Sequence, residues 1–227
     1  MAMVDLKKAE LCLEGRHWPH LIRGSISEDW EDAVLSLKKA LTLRPGSGRA
    51  SYLLGNRYRE VGDLDRALGC YEDFLKSNPL YAPGYERLGL LWEAKGEPDR
   101  ALRAYEAALE RNPFYCTGRY RLVQMRLEMG EAQVAEALLE ARPLVLSTDW
   151  MGLYWEGRVA FALTRLERAS AAFERAWMLV EQEFYDDSQE EEVPGLAVLA
   201  YWAKVEFERG KVELAGELLS RYQSRSP

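Results

Sequence analysis

Leu54-Gly55-Asn56-Arg57-Tyr58, then Gly62, Ala67, Tyr71 and Asn78-Pro79, recur 34 residues later. The second copy reads Leu88-Gly89-Leu90-Leu91-Trp92, Gly96, Ala101, Tyr105 and Asn112-Pro113. A fixed period of this length is the mark of a repeat architecture. The residue types suit two antiparallel helices per period. Gly55 with Ala67, and Gly89 with Ala101, leave room for helices to approach at the short end of the usual ~8–10 Å. Tyr58, Tyr71, Trp92 and Tyr105 are large groups that fill the space beside that contact. Gly62 and Gly96 suit the left-handed residue that ends a first helix. Pro98 sits near the start of a second helix, where a missing N–H costs nothing. Pro79 and Pro113 stop the second helices.

The pattern W-x2-L-G-x2-Y, then A-x3-F, then P, belongs to the tetratricopeptide repeat, which this chain resembles. Tyr85 fills the Trp slot of the second copy, and Ser51 departs from it in the first. The resemblance implies an all-α, right-handed superhelical solenoid of about six antiparallel helix pairs. It implies one continuous domain over 1–227, with repeats at 8–47, 48–81, 82–115, 116–149, 150–183 and 196–227. An acidic insertion occupies 184–195.

The weaker copies keep the phase in part. In the first, Leu11, Glu14, Gly15 and Arg16 mirror Leu153, Glu156, Gly157 and Arg158, and Ala33, Leu37, Ala40 and Pro45 take second-helix slots. Helices are expected near 4–18 and 29–43, with Pro19–Glu28 as an extended turn. The fourth copy aligns Leu122, Gly130, Ala135 and Leu139, and its early Pro143 predicts a short second helix. The fifth aligns Gly157, Ala169, Phe173 and Ala176, with a second helix running to about Phe184. The sixth keeps Ala203, Gly210, Ala215 and Leu219.

Bulk properties narrow the class. No apolar run approaches 18 residues, so no membrane span is expected. Met1–Lys8 has no apolar stretch of signal-peptide type, so a cytoplasmic location is expected. Cys12, Cys70 and Cys116 share no metal-type spacing and read as packing residues. Of the formal charge of −7, all seven units come from residues 181–192; elsewhere acids and bases balance. Such a balance argues against nucleic acid as a partner. His17 and His20 have no third ligand nearby. No phosphate-cradling loop, zinc spacing or nucleophile beside a histidine occurs. The expectation is a non-enzymatic protein with no cofactor and no metal.

In the family resembled, the first helix of each pair lines a concave binding groove. Counting Gly55 as position 8, the groove side gathers Tyr52, Tyr120 and Tyr154 at position 5. It gathers Arg87, Arg121, Trp155 and Tyr201 at position 6, and Arg16, Asn56, Gln124, Arg158 and Lys204 at position 9. Arg49 and Arg59 join them, while Glu86 and Glu93 run against the trend. Arg and Tyr are favoured where binding energy concentrates, and Arg offers a planar fork for carboxylates. Some family members clamp the terminal carboxylate of a partner with Lys, Asn and Arg in three consecutive repeats. Asn56 and Arg121 match that pattern; Tyr52, Arg87 and Thr117 depart from it.

The expected function is that of a scaffold or adaptor binding another protein or peptide, acidic or C-terminal, in the groove. The acidic insertion could compete for the same groove. The alternative is a structural subunit that self-assembles through its terminal helices, because Leu214, Leu218 and Tyr222 would lack a covering helix.

Overall fold

The computed structural model describes residues 16–141, 149–184 and 195–225. Among them are twelve α-helices and no strand. The acidic insertion falls almost wholly in 185–194, and Cys12 and Pro143 also lie outside the described residues. By its internal contacts the chain divides after Gly118 into two compact units.

The first unit holds α1 (His17–Ile26), α2 (Trp30–Leu43), α3 (Gly48–Glu60), α4 (Leu64–Ser77), α5 (Ala82–Ala94) and α6 (Pro98–Arg111). Each helix packs on the next in sequence. Within each pair the close contact is a small residue against a large one. A Cβ added at Gly55 would stand 2.9 Å from the Tyr71 ring, and one at Gly89 would clash with Tyr105. Tyr71 and Tyr105 are fully buried there. Starts and stops follow local chemistry. Asp29 and Asp63 accept hydrogen bonds from the backbone N–H of Asp32 (2.8 Å) and Arg66 (3.1 Å), capping α2 and α4.

The first pair corrects the sequence reading. Pro19–Glu28 is not an extended turn: α1 runs through it as far as Ile26. Pro19 is the third residue of the helix, where its absent N–H would have had no intrahelical acceptor. Gly24 makes the close contact of this pair, since a Cβ there would stand 2.5 Å from Leu37; Leu11, Glu14 and Gly15 and the start of the helix expected over 4–18 lie outside the described residues. The connection to α2 is short. It is tied down by the paired Arg23 and Asp32, 2.6 Å apart, and by Ser27, whose hydroxyl donates to Asp32 at 3.0 Å.

The division falls inside α7 (Cys116–Glu128), and the second unit continues through α8 (Ala132–Glu140), α9 (Trp150–Ala162), α10 (Leu166–Phe184), α11 (Leu196–Glu208) and α12 (Val212–Arg225). α8 is short, with 9 residues against 14 in α4 and α6, and α10 runs over Leu166–Phe184, to the limit of the described residues there. The pair α9–α10 repeats the glycine contact: a Cβ at Gly157 would stand 2.6 Å from Phe173. In the fourth copy the slots of glycine and ring hold Val123 and Leu139, both buried.

Every first helix from the second copy onward ends the same way. Gly62, Gly96, Gly130 and Gly210 have φ between +72° and +79°, and Thr164 takes the same slot at +59°. The following N–H reaches back into the helix, as Asp63 does to Tyr58 (2.9 Å) and Arg165 to Ala160 (2.9 Å). A β-branched residue is poorly suited to this conformation.

The last pair is joined to α10 by a buried polar contact as well as by apolar packing. Glu206 is fully buried and accepts from Trp202 Nε1 (3.2 Å), Arg209 Nη1 (2.7 Å) and the Ser170 hydroxyl. Lys211 Nζ stands 3.6 Å from its other oxygen. Burial alone would raise the Glu206 carboxyl. Ser170, Arg209 and Lys211 outweigh it and hold the group below its ordinary range. The end of the second unit also corrects an expectation. Leu218 is buried, while Leu214 and Tyr222 pack against the unit's own core. The apolar groups left exposed on this pair are instead Phe207, Val212 and Leu219.

Two outcomes follow from this packing. Thr164→Gly raises the unfolding free energy by about 1 kcal/mol, read as a higher melting temperature, because it removes a left-handed β-branched residue. Glu206→Gln costs on the order of 3 kcal/mol near neutral pH, since it removes the buried anion that Arg209, Lys211 and Ser170 are arranged around. The Glu206 carboxyl is depressed in the folded state. Its stabilisation is therefore complete above the ordinary carboxylate range and lost as the pH falls through the lower folded value. Parallel denaturant titrations of wild type and variant should converge at acid pH.

Candidate functional site

In the first unit, four of the groove candidates meet around one core ring. Tyr71 crosses from α4, and its hydroxyl donates to Asn56 Oδ1 at 2.6 Å. Burial raises the Tyr71 phenol, and Arg59 and Arg87 pull the other way. Arg87 Nε donates to the Tyr52 hydroxyl at 3.4 Å. The Tyr52 ring is itself held by Tyr71, Phe74 and Tyr81, with centroids 5.7, 5.1 and 6.3 Å away. Tyr52, Asn56, Arg59 and Arg87 thus form one cluster of α3 and α5. Arg16 and Arg49 are exposed and make no contact with it.

Glu86, which ran against the charge pattern, is buried and accepts the Tyr115 hydroxyl. Burial, and then the Glu86 carboxylate, push the Tyr115 phenol far up, so it stays protonated as the donor. An acid that the helical spacing placed among the cations is thereby withdrawn from the surface.

In the second unit the groove candidates are more aromatic. Tyr154, Trp155 and Arg158 come from α9, Tyr201 and Lys204 from α11. The Arg158 guanidinium carbon lies 4.6 Å from the Tyr201 ring centroid, 4.8 Å from Trp155 and 5.8 Å from Tyr154. Tyr201 stacks on the core ring of Phe173, with centroids 6.1 Å apart. Lys204 Nζ stands 5.0 Å over Phe161. Burial raises the Tyr154 phenol, against the charge of Arg158.

The remaining candidates do not join these clusters. Tyr120 is buried, and its hydroxyl donates to Asp149 Oδ2 at 2.7 Å, linking α7 to the start of α9. Trp155, which does belong to the second cluster, is also buried, so it supports the face rather than forming its surface. Gln124 donates to Glu128 one turn along α7 (2.9 Å), and Arg121 is half-buried on the same helix. Sequence reasoning overlooked Phe74, Tyr81, Phe161 and Phe173, the rings that hold Tyr52, Lys204 and Tyr201. Phe173 carried a signal, since it fills the Tyr71 slot; Tyr81 carried none, because it lies in a connection between copies.

Charge pairing separates these cations from others in the chain. Arg23, Arg66, Arg165, Arg168 and Arg209 each stand within 3.6 Å of a carboxylate oxygen. Among the described residues, none of Arg16, Arg49, Arg59, Arg87, Arg121, Arg158 or Lys204 has such a partner. No group of three or more His, Cys, Asp or Glu side chains among the described residues is placed to hold a metal ion. His17 Nε2 lies 3.5 Å from Arg44 instead. Burial, then Asp73, push the Cys70 thiol up to about 11, which keeps it unreactive near neutral pH. No helix among the described residues is long and apolar enough to cross a membrane.

Comparison with known proteins agrees with the helix-pair fold. No curated protein matches the chain. Solved structures do. A pilus biogenesis factor of type IV pili, PilW, superposes with a TM-score of 0.66 at 19% identity, over 87% of this chain and 86% of that one. MamA from Desulfovibrio magneticus RS-1 gives 0.61 at 16% identity, over 78% and 94%. YrrB, described as a TPR protein with an unusual peptide-binding site, gives 0.60 at 17% identity, over 86% and 94%. At these identities the likeness speaks for the fold alone. The model of the tetratricopeptide repeat matches residues 52–115 and 93–143. With its 34-residue period, its glycine-to-ring helix pairs and these matches, the chain is a member of the tetratricopeptide repeat family.

Proposed function

We propose that this protein is a non-enzymatic interaction scaffold whose first-helix faces take an acidic or C-terminal stretch of a partner polypeptide. Family membership supports the scaffold class in general. The observation that carries the finer reading is the charge pairing described above. Arg59 and Arg87 on one unit, and Arg158 and Lys204 on the other, stand among aromatic rings with no carboxylate oxygen of the described chain in ion-pair contact. Elsewhere the same chain supplies carboxylates to its arginines readily. Cations and tyrosines set together on helices, which are rigid supports, suit recognition of an anionic chain. YrrB shows by its description that a similar fold can carry a peptide site.

The test is a peptide library screened against wild type, Arg87→Glu and Arg121→Glu. Acidic or free-carboxylate peptides should dominate the wild-type hits, and Arg87→Glu should weaken them by about tenfold or more, a change of ~1.4 kcal/mol. A hit list without acidic character, or one unmoved by both reversals, removes this reading.

A second reading, assembly through the terminal helices, has one observation in its favour. Leu219 fills the slot of Tyr71, Tyr105 and Phe173, which are fully buried, yet it is 46% exposed, with Phe207 and Val212 also open on the same pair. Self-assembly there predicts that light-scattering mass rises with concentration and that Leu219→Glu abolishes the rise. A constant monomer mass at all concentrations ends that reading.

A further inference from the structure

Three connections of the first unit are built alike. Arg44-Pro45-Gly46-Ser47, Asn78-Pro79-Leu80-Tyr81 and Asn112-Pro113-Phe114-Tyr115 are each closed by the fourth N–H, which donates to the first carbonyl at 3.0, 3.1 and 3.0 Å. Proline suits the second position of such a turn, and small or polar residues dominate the rest. At the third position Gly46 obeys this rule. Leu80 and Phe114 break it, and they are 78% and 59% exposed, so neither owes its place to packing within the chain. The turns that carry them are braced. Tyr81 packs edge-on against Phe74, with centroids 5.3 Å apart, and the Tyr115 hydroxyl donates to buried Glu86. Tyr85 ties one turn to the next: its hydroxyl donates to the Pro79 carbonyl at 3.0 Å, and its ring lies 4.8 Å from the Arg111 guanidinium carbon. Single exposed apolar groups need no explanation, but here two large ones stand at the same corner of linked turns.

Charge separates this end of the unit from the other. Successive helices run in opposite directions, so the connections after α2, α4 and α6 share one end, and those after α3 and α5 share the opposite one. Residues 43–49, 77–83 and 111–117 hold Arg44, Arg49 and Arg111 and no acid. At the opposite end, residues 60–66 and 94–100 hold Glu60, Asp63, Asp65, Glu97 and Asp99 against three bases. Arg111 is paired with the neighbouring Glu110. Arg44 and Arg49 are exposed, and neither has a carboxylate in ion-pair contact among the described residues. A protein partner would need a pocket for each protruding corner. A lipid surface takes such groups singly, and its anionic headgroups attract the cations beside them.

We propose that this end of the first unit docks on an anionic lipid bilayer. Leu80 and Phe114 enter the boundary between headgroups and acyl chains, and Arg44, Arg49 and Arg111 meet lipid phosphates. The contact is peripheral and uses turn corners, so it needs no membrane-spanning helix and does not depend on the acidic-ligand reading.

The experiment is vesicle flotation of the full chain, with phosphatidylcholine alone and with phosphatidylcholine mixed with phosphatidylserine. Wild type should float with the mixed vesicles, bind phosphatidylcholine alone far less, and be released by added salt. Leu80→Ser combined with Phe114→Ser should weaken binding by about tenfold or more. Arg44→Gln combined with Arg49→Gln should shrink the preference for phosphatidylserine. All four side chains are exposed, so circular dichroism melts of both variants should match wild type. Wild type that stays off both kinds of vesicle overturns the proposal, as does undiminished binding by the Leu80→Ser, Phe114→Ser variant. Equal affinity for the two kinds of vesicle overturns the anionic surface. A light-scattering mass that rises with concentration in wild type and not in that variant, with no flotation, overturns the lipid and assigns the corners to a second copy of the chain.

Discussion

The structure depends on one close approach, repeated along the chain: a first helix that presents almost no side chain to a large group on the second. Gly24 meets Leu37, Gly55 meets Tyr71, Gly89 meets Tyr105 and Gly157 meets Phe173. A close-packed interior has no room for an added methyl at such a point unless the ring shrinks to compensate. The fourth copy fills the two slots with Val123 and Leu139 instead, both buried. The same contact organises the face. Because the ring lies against glycine, its far edge reaches the side where the next residues of the first helix emerge. Tyr71 ends in a hydroxyl there and holds Asn56, whereas Phe173 ends in a bare edge and carries Tyr201. One atom of difference in the core thus separates a polar, arginine-flanked face from an aromatic one.

Charge is handled with equal economy. Carboxylates that helical spacing would place beside the face cations are drawn inward and given donors, as Glu86 is by Tyr115. Glu206 is buried deeper, and its ion pair with Arg209 joins α11 to Ser170 of α10 where other copies place apolar groups such as Leu68 and Leu102. Buried pairs of this kind are costly to desolvate, and their best-attested role is to fix one arrangement among several. That role suits the pair that follows the acidic insertion, where the regular period is interrupted.

The architecture was legible in the sequence because it rests on local rules that a 34-residue period repeats: glycine at a left-handed stop, alanine and glycine at a crossing, proline at an exit. Where a rule was read without its context it failed. Pro19 and Gly24 looked like a turn, but proline is harmless in the first turn of a helix, and a glycine within a helix serves as well for close contact as for ending it. Thr164 shows the converse, a turn slot kept by its backbone hydrogen bonds although the favoured residue is gone.

By itself, then, the sequence determined the helix pairs, their order and the residues that could share a first-helix face, because those follow from spacing along one chain. Only the tertiary structure decided which members of that set reach the surface. Tyr120 and Trp155 share the spacing of Tyr52 and Tyr201 yet are buried, the one bonded to Asp149 and the other beneath Arg158. The same holds for charge, since whether an arginine finds a carboxylate can depend on a partner 29 or 32 positions away in sequence, as for Arg165 and Arg168 with Glu136. Distances of that kind are set by how neighbouring pairs stack, and no periodicity within a single helix encodes them.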